Sequence, residues 1–123
     1  MIQKRKKILI IDDEEDLCSM ISLRFNCLGY ETDYAFNGIA GLKKVKEYRP
    51  DIVLLDVVMP LMDGWEVCEQ IKSDPKTKQI KVILVTATQS DGLIESKAKN
   101  MGADAVFIKP FDESELLAVM NKF

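Results

Sequence analysis

The chain has 123 residues, of which 47% are hydrophobic and 30% charged, with a net charge of -3. That composition suits one globular domain with a single core, no apolar run approaches the length needed to cross a bilayer, and an acidic balance gives no general attraction to nucleic acid. Histidine is absent, which excludes imidazole metal sites, Ser-His triads and phosphohistidine chemistry within the chain and leaves carboxylates, hydroxyls and lysines as its chemical groups.

Lys4, Arg5, Lys6 and Lys7 open the chain as a solvated basic end. The apolar run that follows is too short for a secretory signal, so a cytoplasmic location is expected. Ile8 to Ile11 reads as a first strand, and Leu17, Met20, Ile21 and Leu28 recur at helical spacing before Gly29, a residue suited to cap a helix end. Thr32 to Phe36 is a weaker strand. Ile52 to Leu55, Val82 to Val85 and Val106 to Ile108 are branched, apolar runs of the kind buried on both faces. Asp63 reads as the cap of a helix beginning near Trp65, and Ile94, Ala98 and Met101 mark a helix closed by Gly102. Asp112 with Glu115 three positions on has the form of a capping box, opening a final helix through Leu116, Leu117 and Met120. Cys18, Cys27 and Cys68 have no metal or disulfide spacing and are assigned to packing.

Alternating strands and helices predict an α/β fold: a doubly wound five-stranded parallel sheet of order 2-1-3-4-5, flavodoxin-like, with five helices. No Gly-, Pro- or Ser-rich stretch and no repeat divides it, so residues 1–123 are expected to form one domain.

In such sheets ligands bind outside the carboxyl ends of the strands, near the first and third. Asp12 and Asp13 follow the first strand, Asp56 the third, Thr86 the fourth and Lys109 the fifth. Taken singly, the acidic pair suits a helix start, Thr86 a β-branched strand residue and Lys109 a surface lysine. Converging on one crevice, three carboxylates repel unless a cation neutralises them. All-oxygen donors suit a hard ion, Mg²⁺ before Ca²⁺, and Lys109 and Thr86 suit the oxygens of a phosphoryl group. Asp56, central in the cluster, is the candidate nucleophile for an acyl phosphate.

The segments IDD, LLDVVMPLMDG, VTA, GAD and KPF, in order and correctly spaced, closely resemble the response-regulator receiver (CheY-like) family over essentially the whole chain, from KILIIDDEED to ESELLAVM. The resemblance implies that Asp56 accepts a phosphoryl group from a histidine kinase or histidine phosphotransfer protein. It implies that Asp12, Asp13, Asp56 and the Val58 carbonyl organise Mg²⁺, with Mn²⁺ as a substitute. Thr86, Lys109 and the amide of Ala87 would contact the phosphoryl oxygens, and the Lys109-Pro110 bond would be cis. Pro60 and Gly64 match the loop after the acceptor but carry little information alone.

The same resemblance implies a switch through Thr86 to the fourth helix, fifth strand and fifth helix, roughly Asp91 to Phe123, the expected surface for an output protein or domain. Val106 departs from the pattern, standing where the family often has an aromatic, and Phe107 beside it points to the opposite face. Val58 and Thr88 offer no carboxylate or amide to position water, which predicts slow self-dephosphorylation. The chain is expected to catalyse only its own phosphorylation and dephosphorylation, with no direct nucleic-acid or membrane binding, and to work either alone or as part of a larger protein. A degenerate receiver serving as a protein-interaction module is the alternative. A phosphatase is disfavoured by Val57 and Val58 after Asp56 where a DxD motif would place a second acid, and a flavin site by the acidic run after the first strand.

Overall fold

The computed structural model describes residues 5–87 and 93–123. Lys4, Thr88 and the opening of the predicted output segment at Asp91 lie outside the described residues. Five strands, β1 (Lys7–Ile11), β2 (Glu31–Ala35), β3 (Ile52–Asp56), β4 (Lys81–Thr86) and β5 (Ala105–Ile108), alternate with α1 (Glu15–Cys27), α2 (Gly38–Tyr48), α3 (Gly64–Ser73), α4 (Leu93–Asn100) and α5 (Glu113–Asn121). The strands pair in parallel in the order β2-β1-β3-β4-β5, as the alternation predicts.

Strand side chains alternate between two cores. Leu9, Ile11, Val53, Leu55, Val82 and Leu84 pack toward α2, α3 and α4 with Val45, Val67, Cys68, Ile71 and Ala98. Ile8, Ile10, Ile52, Leu54, Ile83 and Val85 pack toward α1 and α5 with Cys18, Phe25, Leu116 and Met120. The three central strands are therefore apolar on both faces because helices cover both faces. Phe107 packs on the α1/α5 side, 5.6 Å from Phe111, while Val106 packs on the other, as expected for neighbours in a strand.

Helix ends follow local chemistry. Gly29 and Gly102 take positive φ, 98° and 85°, at the ends predicted for them. Asp63 accepts from the Glu66 amide at 3.0 Å and caps α3. Asp112 does cap α5, but through the amide and hydroxyl of Ser114 rather than through Glu115, because its Oδ1 reaches the nearer donors first. Two other expectations need correction. Met20 in α1 and Leu28 just after it are exposed, since the inward stripe runs instead through Cys18, Ser22 and Phe25. Cys27 is exposed at the last turn of that helix, so only Cys18 and Cys68 serve packing.

Candidate functional site

The parallel register brings the strand ends level. Ile11 pairs with Leu55, Asp56 with Val85 and Thr86 with Ile108, so Asp12, Asp56, Thr86 and Lys109 emerge at one edge of the sheet. Continuing the alternation, Asp12, Asp56 and Lys109 extend the α1/α5 side, and Thr86 extends the side shared by Val106. The Lys109 amide donates to the Thr86 carbonyl at 2.8 Å, which ties the last two of these positions together. The Lys109-Pro110 peptide is cis.

Asp12 and Asp56 are 5% and 9% exposed, and Thr86 is fully buried, whereas Asp13 is exposed. One carboxylate oxygen from each of Asp12, Asp13 and Asp56 lies within 4.8 Å of the others. Lys109 Nζ stands 3.6 Å from Asp12 Oδ2 and 3.9 Å from Asp56 Oδ2. Burial raises the pKa of Asp56 to about 6, reinforced by the neighbouring charge of Asp12 and opposed by Lys109. Asp12 is raised too, again chiefly by burial, although its Oδ1 accepts the Glu14 amide at 2.9 Å. A single ammonium thus leaves the negative charge under-compensated. Three carboxylates without nitrogen or sulfur donors fit a hard divalent cation.

Gly64 shapes the surroundings of Asp56. Its amide donates to the Val57 carbonyl at 2.8 Å, and a Cβ there would collide with the Asp56 carbonyl oxygen and lie 2.7 Å from Val57 Cα. Only a glycine lets α3 start so close to the end of β3, a role its motif position alone did not reveal. Between Gly64 and Asp56 the chain turns at Leu61, which has a φ of 72° and is exposed. The Val58 amide lies 3.4 Å from Asp56 Oδ1 and its side chain is 63% exposed, while Ala87 is exposed just beyond Thr86.

The carboxylates and Lys109 stand at one end of a cleft of about 430 Å³ that continues between α1 and α5 past Leu17, Ile21 and Phe111. Met20 and Leu23, 68% and 66% exposed, lie along the adjoining groove, which the Arg24–Glu113 ion pair spans at 2.7 Å. Among the described residues no helix is long and apolar enough to cross a membrane.

Residues 8–121 match the family model for the response regulator receiver domain. Sporulation initiation phosphotransferase F of Bacillus subtilis is 38% identical over 118 residues, covering 96% of this chain and 93% of that protein. The DNA-binding dual master transcriptional regulator RpaA of Synechocystis is 36% identical over 114 residues, but this chain spans only 46% of its length, and similarly about half of other curated relatives. Among solved structures, chemotaxis protein CheY4 of Vibrio cholerae superposes with a TM-score of 0.87 at 28% identity, covering 97% of this chain and 98% of that one. With a carboxylate cluster at the strand ends, this topology and a family match over nearly its full length, the chain belongs to the receiver domain family of two-component response regulators.

Proposed function

We propose that Asp56 is the phosphoacceptor. A carboxylate oxygen attacks the phosphorus of a phosphohistidine on a histidine kinase or histidine phosphotransfer protein, an O–P bond forms, and the P–N bond breaks as the imidazole leaves. The observation that carries this reading is buried Asp56 beside the Asp12 carboxylate, with the Lys109 ammonium shared by the two, at the open end of a cleft. Asp12, Asp13, Asp56 and the Val58 carbonyl are the groups to hold Mg²⁺, with Mn²⁺ as a substitute, and the ion would offset the charge gathering on the phosphoryl oxygens. Lys109 supplies a second positive charge on the same side, fixed at its backbone by the bond to Thr86. Thr86 and the Ala87 amide are placed to donate to the phosphoryl oxygens from the end of β4.

The modified chain then acts through a partner rather than on a substrate, so its only catalysis is on itself. Adding about two negative charges at Asp56 draws the Thr86 hydroxyl toward the phosphoryl group and biases the face formed by α4, β5 and α5, which meets the output protein or domain. The work of such a domain is cytoplasmic, where its kinase and ATP-derived phosphate are found.

Intact-protein mass after incubation with acetyl phosphate and Mg²⁺ tests the assignment. A single phosphoryl adduct that disappears in Asp56→Asn and in metal-free samples is the expected result. No adduct in the wild-type chain would overturn it and favour a protein-interaction module.

A further inference from the structure

Trp65 follows Gly64 directly, and Gly64 is seated on the acceptor strand by its bond to the Val57 carbonyl and by the lack of room for even a Cβ. With contacts this close, the first turn of α3 must follow any displacement of the backbone at residues 56 and 57. The Trp65 indole packs against the core that also contains Met59, Met62, Ala98 and Val106, and the Lys97 ammonium on α4 lies 4.6 Å from its ring centroid. Ala98 is the buried residue of α4, and Lys97 adds a surface contact from this helix to the start of α3. Val106, on the same side of the sheet, is too small to swing as a rotor between an inward and an outward position. Trp65 is instead the large aromatic reaching from the acceptor end toward α4.

We propose that the Trp65–Lys97 contact couples the acceptor loop to α4, restraining the helix while Asp56 is unmodified and releasing it when Asp56 is phosphorylated. This rests on the phosphoacceptor reading of Asp56 and adds a route by which that event reaches the output face. A contact specific to the unmodified arrangement opposes modification by as much as modification opposes the contact. An exposed cation–π pair is of a size to shift such an equilibrium by about two- to fivefold.

Trp65 is the only tryptophan in the chain, so tryptophan emission reports on the surroundings of this one indole, and the Lys97 variants separate the part due to Lys97. Wild type, Lys97→Met and Lys97→Arg would be titrated with beryllofluoride, a phosphoryl mimic, in Mg²⁺, with affinity read by calorimetry, Trp65 emission recorded in parallel, and acetyl phosphate adducts measured by mass. Lys97 is exposed, so neither substitution disturbs a packed site. The expected result is an emission change in the wild type that is absent in Asp56→Asn, binding about two- to fivefold tighter in Lys97→Met, and wild-type behaviour in Lys97→Arg, which keeps the cation. Equal or weaker binding in Lys97→Met, or an unchanged emission, in protein that still forms the adduct overturns the coupling alone. A wild-type chain that neither forms the adduct nor binds beryllofluoride overturns the phosphoacceptor reading, and the coupling with it.

Discussion

Lys109 Nζ lies closer to Asp12 Oδ2, at 3.6 Å, than to Asp56 Oδ2, at 3.9 Å. Its charge is therefore shared, and it lowers the pKa of both carboxylates without overcoming the burial that raises them. Replacing it should move Asp56 further in the direction burial already pushes it. In Lys109→Met the Asp56 carboxyl is expected to titrate above about 6, and adduct formation from acetyl phosphate to slow. Carbon NMR of the labelled carboxyl against pH checks the first outcome, and an unmoved titration would mean that solvent, not Lys109, sets the balance.

Asp56 also makes the metal-free protein sensitive to pH. Its folded pKa, about 6, exceeds the unfolded value near 4, so between those limits the folded chain holds more protons than the unfolded one. The contribution to stability is fully present below about pH 4 and is lost as pH rises through about 6, at a cost of roughly 2 to 3 kcal/mol at neutral pH. In EDTA at pH 7, Asp56→Asn should be more stable than wild type by about that amount, the gap closing toward pH 4. Urea unfolding across the range would detect it, and a gap that stays constant with pH would rule out ionisation as its source.

Gly64→Ala introduces a methyl group where backbone already stands. Overpacking of this kind typically costs about 1 to 3 kcal/mol, and here relief can come only by moving α3 or the acceptor strand. Lower thermal stability together with slower adduct formation is expected. Full activity in a destabilised variant would show that α3 yields and Asp56 does not.

Asp104 offers a contrast at the other edge of the sheet. Its carboxylate accepts the Val82 amide at 2.8 Å and pairs with Lys72 at 2.8 Å, while Lys72 also donates to the Ile80 carbonyl at 2.6 Å. Asp104→Ala leaves a half-buried ammonium and a strand amide without this partner, for a loss of about 2 kcal/mol. Adduct formation measured well below the melting temperature should be unchanged, and a parallel loss of phosphorylation would contradict a purely structural role.

Val58 bears on how long a phosphoryl group survives. Its side chain stands in solvent two residues after the acceptor and offers nothing to orient an attacking water. Slow loss of the adduct is expected in wild type, with Val58→Asn losing it roughly tenfold faster. A wild-type lifetime of only seconds in Mg²⁺ would defeat this.

The fold was legible because branched, doubly buried strands and spaced apolar helices leave few arrangements, and the carboxyl-end rule then points to Asp12, Asp56, Thr86 and Lys109 before any coordinates are known. What escaped depended on distance through space. Gly64 is one small residue at the end of a turn, and nothing in the sequence says that the backbone of Asp56 lies against it. Met20 and Leu28 fit a helical stripe by spacing, but α1 turns its inward face to Cys18 and Phe25, which only packing decides. The partnership of Trp65 with Lys97 likewise joins two helices whose separation in sequence carries no hint of contact.

The two-sided burial of the central strands has a consequence for folding itself. Where one face of a strand is wet, a slip of one residue exposes apolar groups and is penalised at once. In β3, exchanging Ile52 and Leu54 with Val53 and Leu55 puts comparable aliphatic groups on either side. The same slip would carry Asp56 from the α1/α5 face to the opposite one, parting it from Asp12 and Lys109. The polar residues at the strand ends are thus also the alignment marks of the sheet, so the side chains proposed to handle phosphate help select which of several equally greasy pairings becomes the native one.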